Sequence, residues 1–156
     1  MTQPFSPEIL RDIRRNISRS LTDTFQMMFQ MDILMMQPPG PPSNNNVSAH
    51  IDMANDETSA CLSVTVSRKV VEHICRQLQP GIPPQPHVVQ DIVCEITNIV
   101  SNHLRSYMAD KMGIEFALSL PKAGPAPANK VTENAISLHF RLQEQNCIEL
   151  DFSYAA

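Results

Sequence analysis

Asp91, Glu95, Asn98 and Asn102 follow one another at steps of four, three and four residues. On an α-helix those steps put all four side chains on one face, each about a turn from the next. Two carboxylates and two carboxamides then project together. Three readings are open for such a row. It could be the solvated stripe that any amphipathic helix carries opposite its apolar side. It could hold a metal, although the Glu-x-x-His pairing of a di-iron helix is absent and no other His and acid cluster lies near. Or it could position a water. A carboxamide both donates and accepts hydrogen bonds, so it can hold a nucleophilic water without acting as a strong base. That property suits phosphoryl transfer, where orientation matters more than deprotonation. A carboxylate one turn away would anchor a cationic group on the substrate.

The helix that carries this row reads HVVQDIVCEITNIVSNHLRSYMADKMG from His87. It starts near Pro86, runs to about Met112, and has Gly113 as its C-terminal signal. Val88, Ile92, Ile96, Ile99, Val100, Leu104 and Met108 form its apolar side, with His103 falling beside Ile99 and Ile96. Before it comes a long first helix, capped by Ser6 with Pro7 and Glu8 in the first turn. Its apolar stripe is Ile9, Ile13, Ile17, Leu21, Phe25 and Met28, and it is expected to run toward Met36, where the Pro/Asn-rich surface loop 37–46 stops it. Arg11, Arg14, Arg15 and Arg19 lie off that stripe, either as a solvated face or as a basic patch for an acidic partner. Met27, Met28, Met31, Met35 and Met36 are read as core filling.

Period-two alternation predicts strands at Val47–Met53 and Ala60–Val66, joined by a turn at Asn55-Asp56-Glu57. Ser67 then caps a second helix that ends at Pro80-Gly81. After the third helix come a strand around 114–120, a loop to about Lys130, and a hairpin. The hairpin alternates Ile136, Leu138, Phe140 and Leu142 against Ile148, Leu150, Phe152 and Tyr154, turning at Gln143–Asn146. The whole chain, 1–156, reads as a single α+β domain, with long helices packed on one face of a mainly antiparallel sheet.

Composition narrows the class. Of 156 residues 42% are apolar and 18% charged, which suits a globular domain. Twelve basic against 16 acidic residues give a net charge of −4, which speaks against a nucleic-acid binder. No stretch is long and apolar enough for a membrane helix, and the N-terminus lacks signal-peptide order, so a cytoplasmic protein is expected. The four cysteines form no CxxC pair and no zinc spacing, and read as small buried thiols. His50, His73 and His139 have no partners at ligand spacing, so no metal site is expected.

The string Asp91-x-x-x-Glu95-x-x-Asn98, then twenty-two residues, then Pro121, resembles the signature of the CheX, CheC and FliY family of chemotaxis phosphatases. The order of elements over residues 5–155 is similar to that family as well. The first helix holds no Glu-x-x-Asn, so the chain resembles single-site CheX more than two-site CheC. Asn102 stands where the family often has glycine, and Ala54-Asn55-Asp56-Glu57 replaces a glycine-rich turn. The resemblance implies a CheC-like fold and hydrolysis of the aspartyl phosphate on a CheY-like response regulator, in chemotaxis or two-component signalling. By that resemblance Asn98 orients the attacking water and Glu95 pairs with the regulator's lysine. Asp91 and Asn102 support the contact, and Pro121 shapes the backbone beside the site. No cofactor would be bound by this chain, because the Mg²⁺ belongs to the regulator. The partners implied are the phosphorylated receiver domain and a second copy in a homodimer joined through sheet edges, for which the apolar alternation of 135–154 is suited. The alternative is a binding or dimerisation module that docks receivers without hydrolysing anything.

Overall fold

The computed structural model describes residues 5–37, 45–127, 135–143 and 145–155. Most of the Pro/Asn-rich loop and the end of the loop toward Lys130 fall outside these residues.

Helix α1 spans Pro7–Phe29, and the Ser6 hydroxyl accepts the Ile9 N–H at 3.2 Å, as its cap position predicts. Ile13, Ile17, Leu21 and Phe25 are fully buried along one stripe. The helix does not reach Met36. Gln30 turns left-handed at φ 56°, its N–H bonds the Gln26 carbonyl, and the Met31 N–H bonds the Phe25 carbonyl. Beyond that cap Met31 and Ile33 alternate into the core, and β1, Leu34–Met35, pairs with a later strand. Of the five methionines near this end only Met31 fills core. Met27 is 83% exposed, and Met28 and Met35 are exposed too, so the core-filling expectation fails for them.

Strands β2, Asn46–Ala54, and β3, Ser59–Ser67, form an antiparallel hairpin in continuous register. The side chain of Asn55 closes the turn, accepting the N–H groups of Glu57 and Thr58 at 2.9 and 2.7 Å. Helix α2, Arg68–Leu78, follows directly. Ser67 occupies its N-cap position, yet its hydroxyl makes no capping bond; the Arg68 N–H is taken up by the Asn45 carbonyl instead. Helix α3 spans Pro86–Met112, about 40 Å by its rise per residue. Gly113 ends it at φ 66°, where a side chain would be strained.

Of the strand expected at 114–120 only β4 (Ala117–Leu118) forms, and a second short piece, β5 (Lys122–Ala123), lies in the expected loop; both are antiparallel to β2. Pro121 lies between them; it has no N–H to offer a ladder, and the pairing breaks there. Strands β6, Ala135–Leu142, and β7, Gln145–Ala155, make the last hairpin. The sheet order is β1-β6-β7-β3-β2-β4, with β5 also on β2, and every pair is antiparallel.

One face of the sheet is apolar. Val47, Ala49, Ile51 and Met53 stand beside Ala60, Leu62, Val64 and Val66, then Ile148, Leu150, Phe152 and Tyr154, then Ile136, Leu138 and Phe140. All are buried in one core with α1, α2 and α3. The apolar alternation of 135–154 is therefore used inside this chain. The opposite face carries Ser48, His50 and Asp52, Cys61, Ser63 and Thr65, and Glu149, Asp151 and Ser153. Chain around Pro125 and Ala126 lies over part of it, and the His50 ring bonds the Gly124 carbonyl at 3.0 Å.

Candidate functional site

Helix α3 is held by its apolar side. Val93, Ile96, Val100, Leu104 and Met108 are fully buried, and so are Thr97 and Ser101. The opposite side carries the polar row. Asp91 and Glu95 are exposed, while Asn98 and Asn102 are half-buried. The helix therefore brings the four together on its outer face, as the spacing predicts. Of the four, the two amides are in direct contact. The Asn102 Nδ2 donates to the backbone carbonyl of Asn98 at 2.8 Å and to its Oδ1 at 3.1 Å. With Oδ1 accepting that bond, the Asn98 side chain is fixed in rotation. Its Nδ2 makes no hydrogen bond among the described residues, and Oδ1 keeps a second lone pair. A donor and an acceptor thus stand ready one turn from the Glu95 carboxylate.

Pro121 sits apart from the row, in the strap formed by β4 and β5. Asp52 fixes the strap to β2. Its N–H donates to the Ser119 hydroxyl at 3.0 Å, its carbonyl accepts the Ser119 N–H at 2.9 Å, and its carboxylate pairs with Lys122 at 2.8 Å. The Asp52 hydrogen bond and charge raise the Lys122 pKa. No hydrogen bond joins Pro121 to the four residues on α3 among those described. Gln90 supplies the link between strap and helix: its amide donates to the Ser48 carbonyl at 2.8 Å, and the same carbonyl accepts the Gly124 N–H at 2.8 Å. Sequence reading missed Gln90. Its only signal was a polar side chain one residue ahead of Asp91, close to the apolar side.

His103 differs from its expected place on the packed side. It is exposed and lies at the flank of α3 that meets α1, where its Nδ1 is 2.6 Å from the Ser20 hydroxyl. A polar ring at a helix–helix boundary can keep one nitrogen wet and bond the neighbour with the other. Three cysteines are buried as free thiols and Cys94 is half-buried. Among the described residues no three His, Cys, Asp or Glu side chains gather as a metal site, and no helix is long and apolar enough to cross a membrane.

The family model described as chemotaxis phosphatase CheX matches residues 47–140, more than half of the chain and all of α3. No curated protein matches the chain in sequence. Among solved structures, the chain is similar to the chemotaxis protein CheX from Vibrio vulnificus: 20% identity, TM-score 0.74, 92% of this chain and 97% of that one covered. It is similar to a CheC-like superfamily protein from Shewanella sp. PV-4, with 22% identity, TM-score 0.75, and 93% and 98% covered. It also matches a chain of the CheX–CheY–BeF₃–Mg²⁺ complex from Borrelia burgdorferi, with 14% identity, TM-score 0.66, and 91% and 97% covered. The three helices on a mainly antiparallel sheet are the fold of the CheC-like superfamily. Within it, the chain belongs to the chemotaxis phosphatase CheX family.

Proposed function

We propose that this protein dephosphorylates the aspartyl phosphate of a CheY-like receiver domain, in chemotaxis or other two-component signalling. One observation carries the reading: Asn98 is held by Asn102 with its amide N–H groups free, on an open helix face beside Glu95. The Borrelia complex, in which a CheX is joined to a CheY, supports the class of partner.

In this mechanism α3 lies across the receiver's active site. Asn98 Nδ2 donates to a water and Oδ1 accepts one of its protons, aiming the oxygen at phosphorus. The water oxygen bonds phosphorus as the bond to the receiver's aspartate oxygen breaks, leaving a carboxylate and inorganic phosphate. Glu95 pairs with the receiver's lysine and sets the register of the two proteins. Asp91 adds a contact one turn back, and Pro121 shapes the strap near the N-terminal half of α3. The magnesium ion is the receiver's own and offsets charge on the phosphoryl oxygens. What this chain adds is orientation, and one well-placed positioning group is typically worth on the order of 10²-fold in rate. The same reading has the protein act as a homodimer. Beyond its two-residue pairing with β1, the outer edge of β6 from Ala135 to Leu138 has no strand partner among the described residues.

The test is the lifetime of a phosphorylated receiver from the same cell, with and without the protein. A shortened lifetime at catalytic protein concentrations is expected. Tight binding with an unchanged lifetime would make the protein a receiver-binding module.

A further inference from the structure

A groove of about 500 Å³ runs between α1 and the edge strand β1, bordered by Arg11, Arg14, Arg15, Arg19 and Met35. It is separate from the row on α3. Ser20, which meets α3 through His103, lies about 200° around the helix from Ser18, which borders the groove. The four arginines span residues 11–19, about 12 Å along the helix axis. Arg11, Arg15 and Arg19 are exposed, and none of the four is in an ion pair among the described residues. One carboxylate, Asp23, borders the groove. Four of the chain's 12 basic residues thus gather on one flank of a molecule whose net charge is −4, and the local field opposes that of the whole. Met35, on the strand side of the groove, is 36% exposed and supplies its apolar lining.

A guanidinium matches a carboxylate in bidentate geometry, and arginine is the basic residue best suited to a partly buried interface. A row 12 Å long is too extended for one phosphate or carboxylate ion, and it suits several carboxylates spaced along a chain. The exposed methionine adds an apolar seat beside the charges, as adaptable binding surfaces use it. We propose that this groove docks an acidic segment of a partner protein, its carboxylates on Arg11, Arg14, Arg15 and Arg19 and an apolar side chain against Met35.

Fluorescence anisotropy with a labelled twelve-residue peptide of glutamates and two leucines tests this. Saturable binding is expected, weakening as salt rises. It should fall about tenfold or more in the double variant Arg15→Glu, Arg19→Glu, and fall in Met35→Asp, which leaves the charges in place. Arg76→Glu on α2, a charge change elsewhere, should leave it as it is. Asn98→Ala should also leave it as it is, since Asn98 lies on another helix; loss of phosphatase activity and loss of docking are then separate results. The proposal is overturned if no saturable binding occurs, or if Arg76→Glu weakens it as much as the groove variants. It is overturned too if pyrophosphate or a single-stranded oligonucleotide binds the arginines more tightly than the peptide does.

Discussion

In the proposed mechanism Asn98 is held ready by its hydrogen bond from Asn102. A free asparagine side chain on a helix samples several rotamers, and holding one before the partner arrives removes that cost from the reaction. The two bonds from Asn102 Nδ2 to Asn98 supply that hold. Asn102→Ala is expected to lower kcat about tenfold with KM nearly unchanged, and Asn102→Asp, which keeps the size but loses the donor, to do the same. Steady-state kinetics on a phosphorylated receiver would separate the two constants. In the proposed mechanism Glu95 serves recognition. Glu95→Ala is expected to weaken receiver binding about tenfold or more and to reduce its salt dependence, measured by titration calorimetry at two ionic strengths. The sharing of one face was legible from the steps between these residues. The bond between the amides was signalled by their spacing of four, but which atom would donate depended on rotamers that a sequence does not display.

The long third helix is the element on which the site depends. Its inner stripe of fully buried residues fixes both its rotation and its height above the sheet. Leu104→Ala is expected to cost about 2–5 kcal/mol, read by urea denaturation, through lost burial and the cavity left behind. Helix α3 was legible because it has a proline at its start, a glycine at its end and an apolar period, although Val88, Ile92 and Ile99 of the expected stripe are only half-buried and Val89 and Val93 are buried in their stead. The end of α1 was not. Met27, Met28, Met31, Met35 and Met36 continue a helix-like spacing, and methionine is a good helix former. The stop is Gln30 in a left-handed conformation, and glutamine gives no such signal. The strap was half legible: Pro121 marked the break, but the pairing of both pieces to β2 rests on Ser119, Lys122 and Gly124 finding Asp52 and Ser48 across the fold. His103 was misplaced for a related reason. Its helical angle lies at the edge of the apolar side, and whether an edge is buried depends on the neighbouring helix.

The molecule as a whole is a sheet with one face sealed by helices and the other polar, and the polar face carries a pH response. Burial pushes the Asp151 carboxyl up to about 6 from 3.8, with Glu149 adding to the rise while the Ser137 hydrogen bond and His139 oppose it. His139 lies 3.8 Å from Glu149 on the same face. A raised carboxyl pKa means that the folded state holds a proton which the unfolded chain releases between about pH 4 and 6. This group's contribution is therefore full below pH 4, is lost as pH rises toward 6, and is absent at pH 7. Asp151→Asn is expected to raise stability at pH 7 by on the order of 2 kcal/mol and to flatten the change between pH 7 and 5. Denaturant midpoints at the two pH values would check it. The basic groove on α1 and the acid-rich row on α3 lie on different helices, so the small domain has room for two protein contacts at once.

Asn98→Ala and the natural chain are compared side by side against one phosphorylated receiver, recording both affinity and phosphoryl lifetime. Water positioning by Asn98 predicts that the variant binds within about twofold of the natural chain while acceleration of phosphate release falls on the order of 10²-fold or more. Equal acceleration by both proteins would contradict it, since the carboxamide on α3 would then have no part in the reaction.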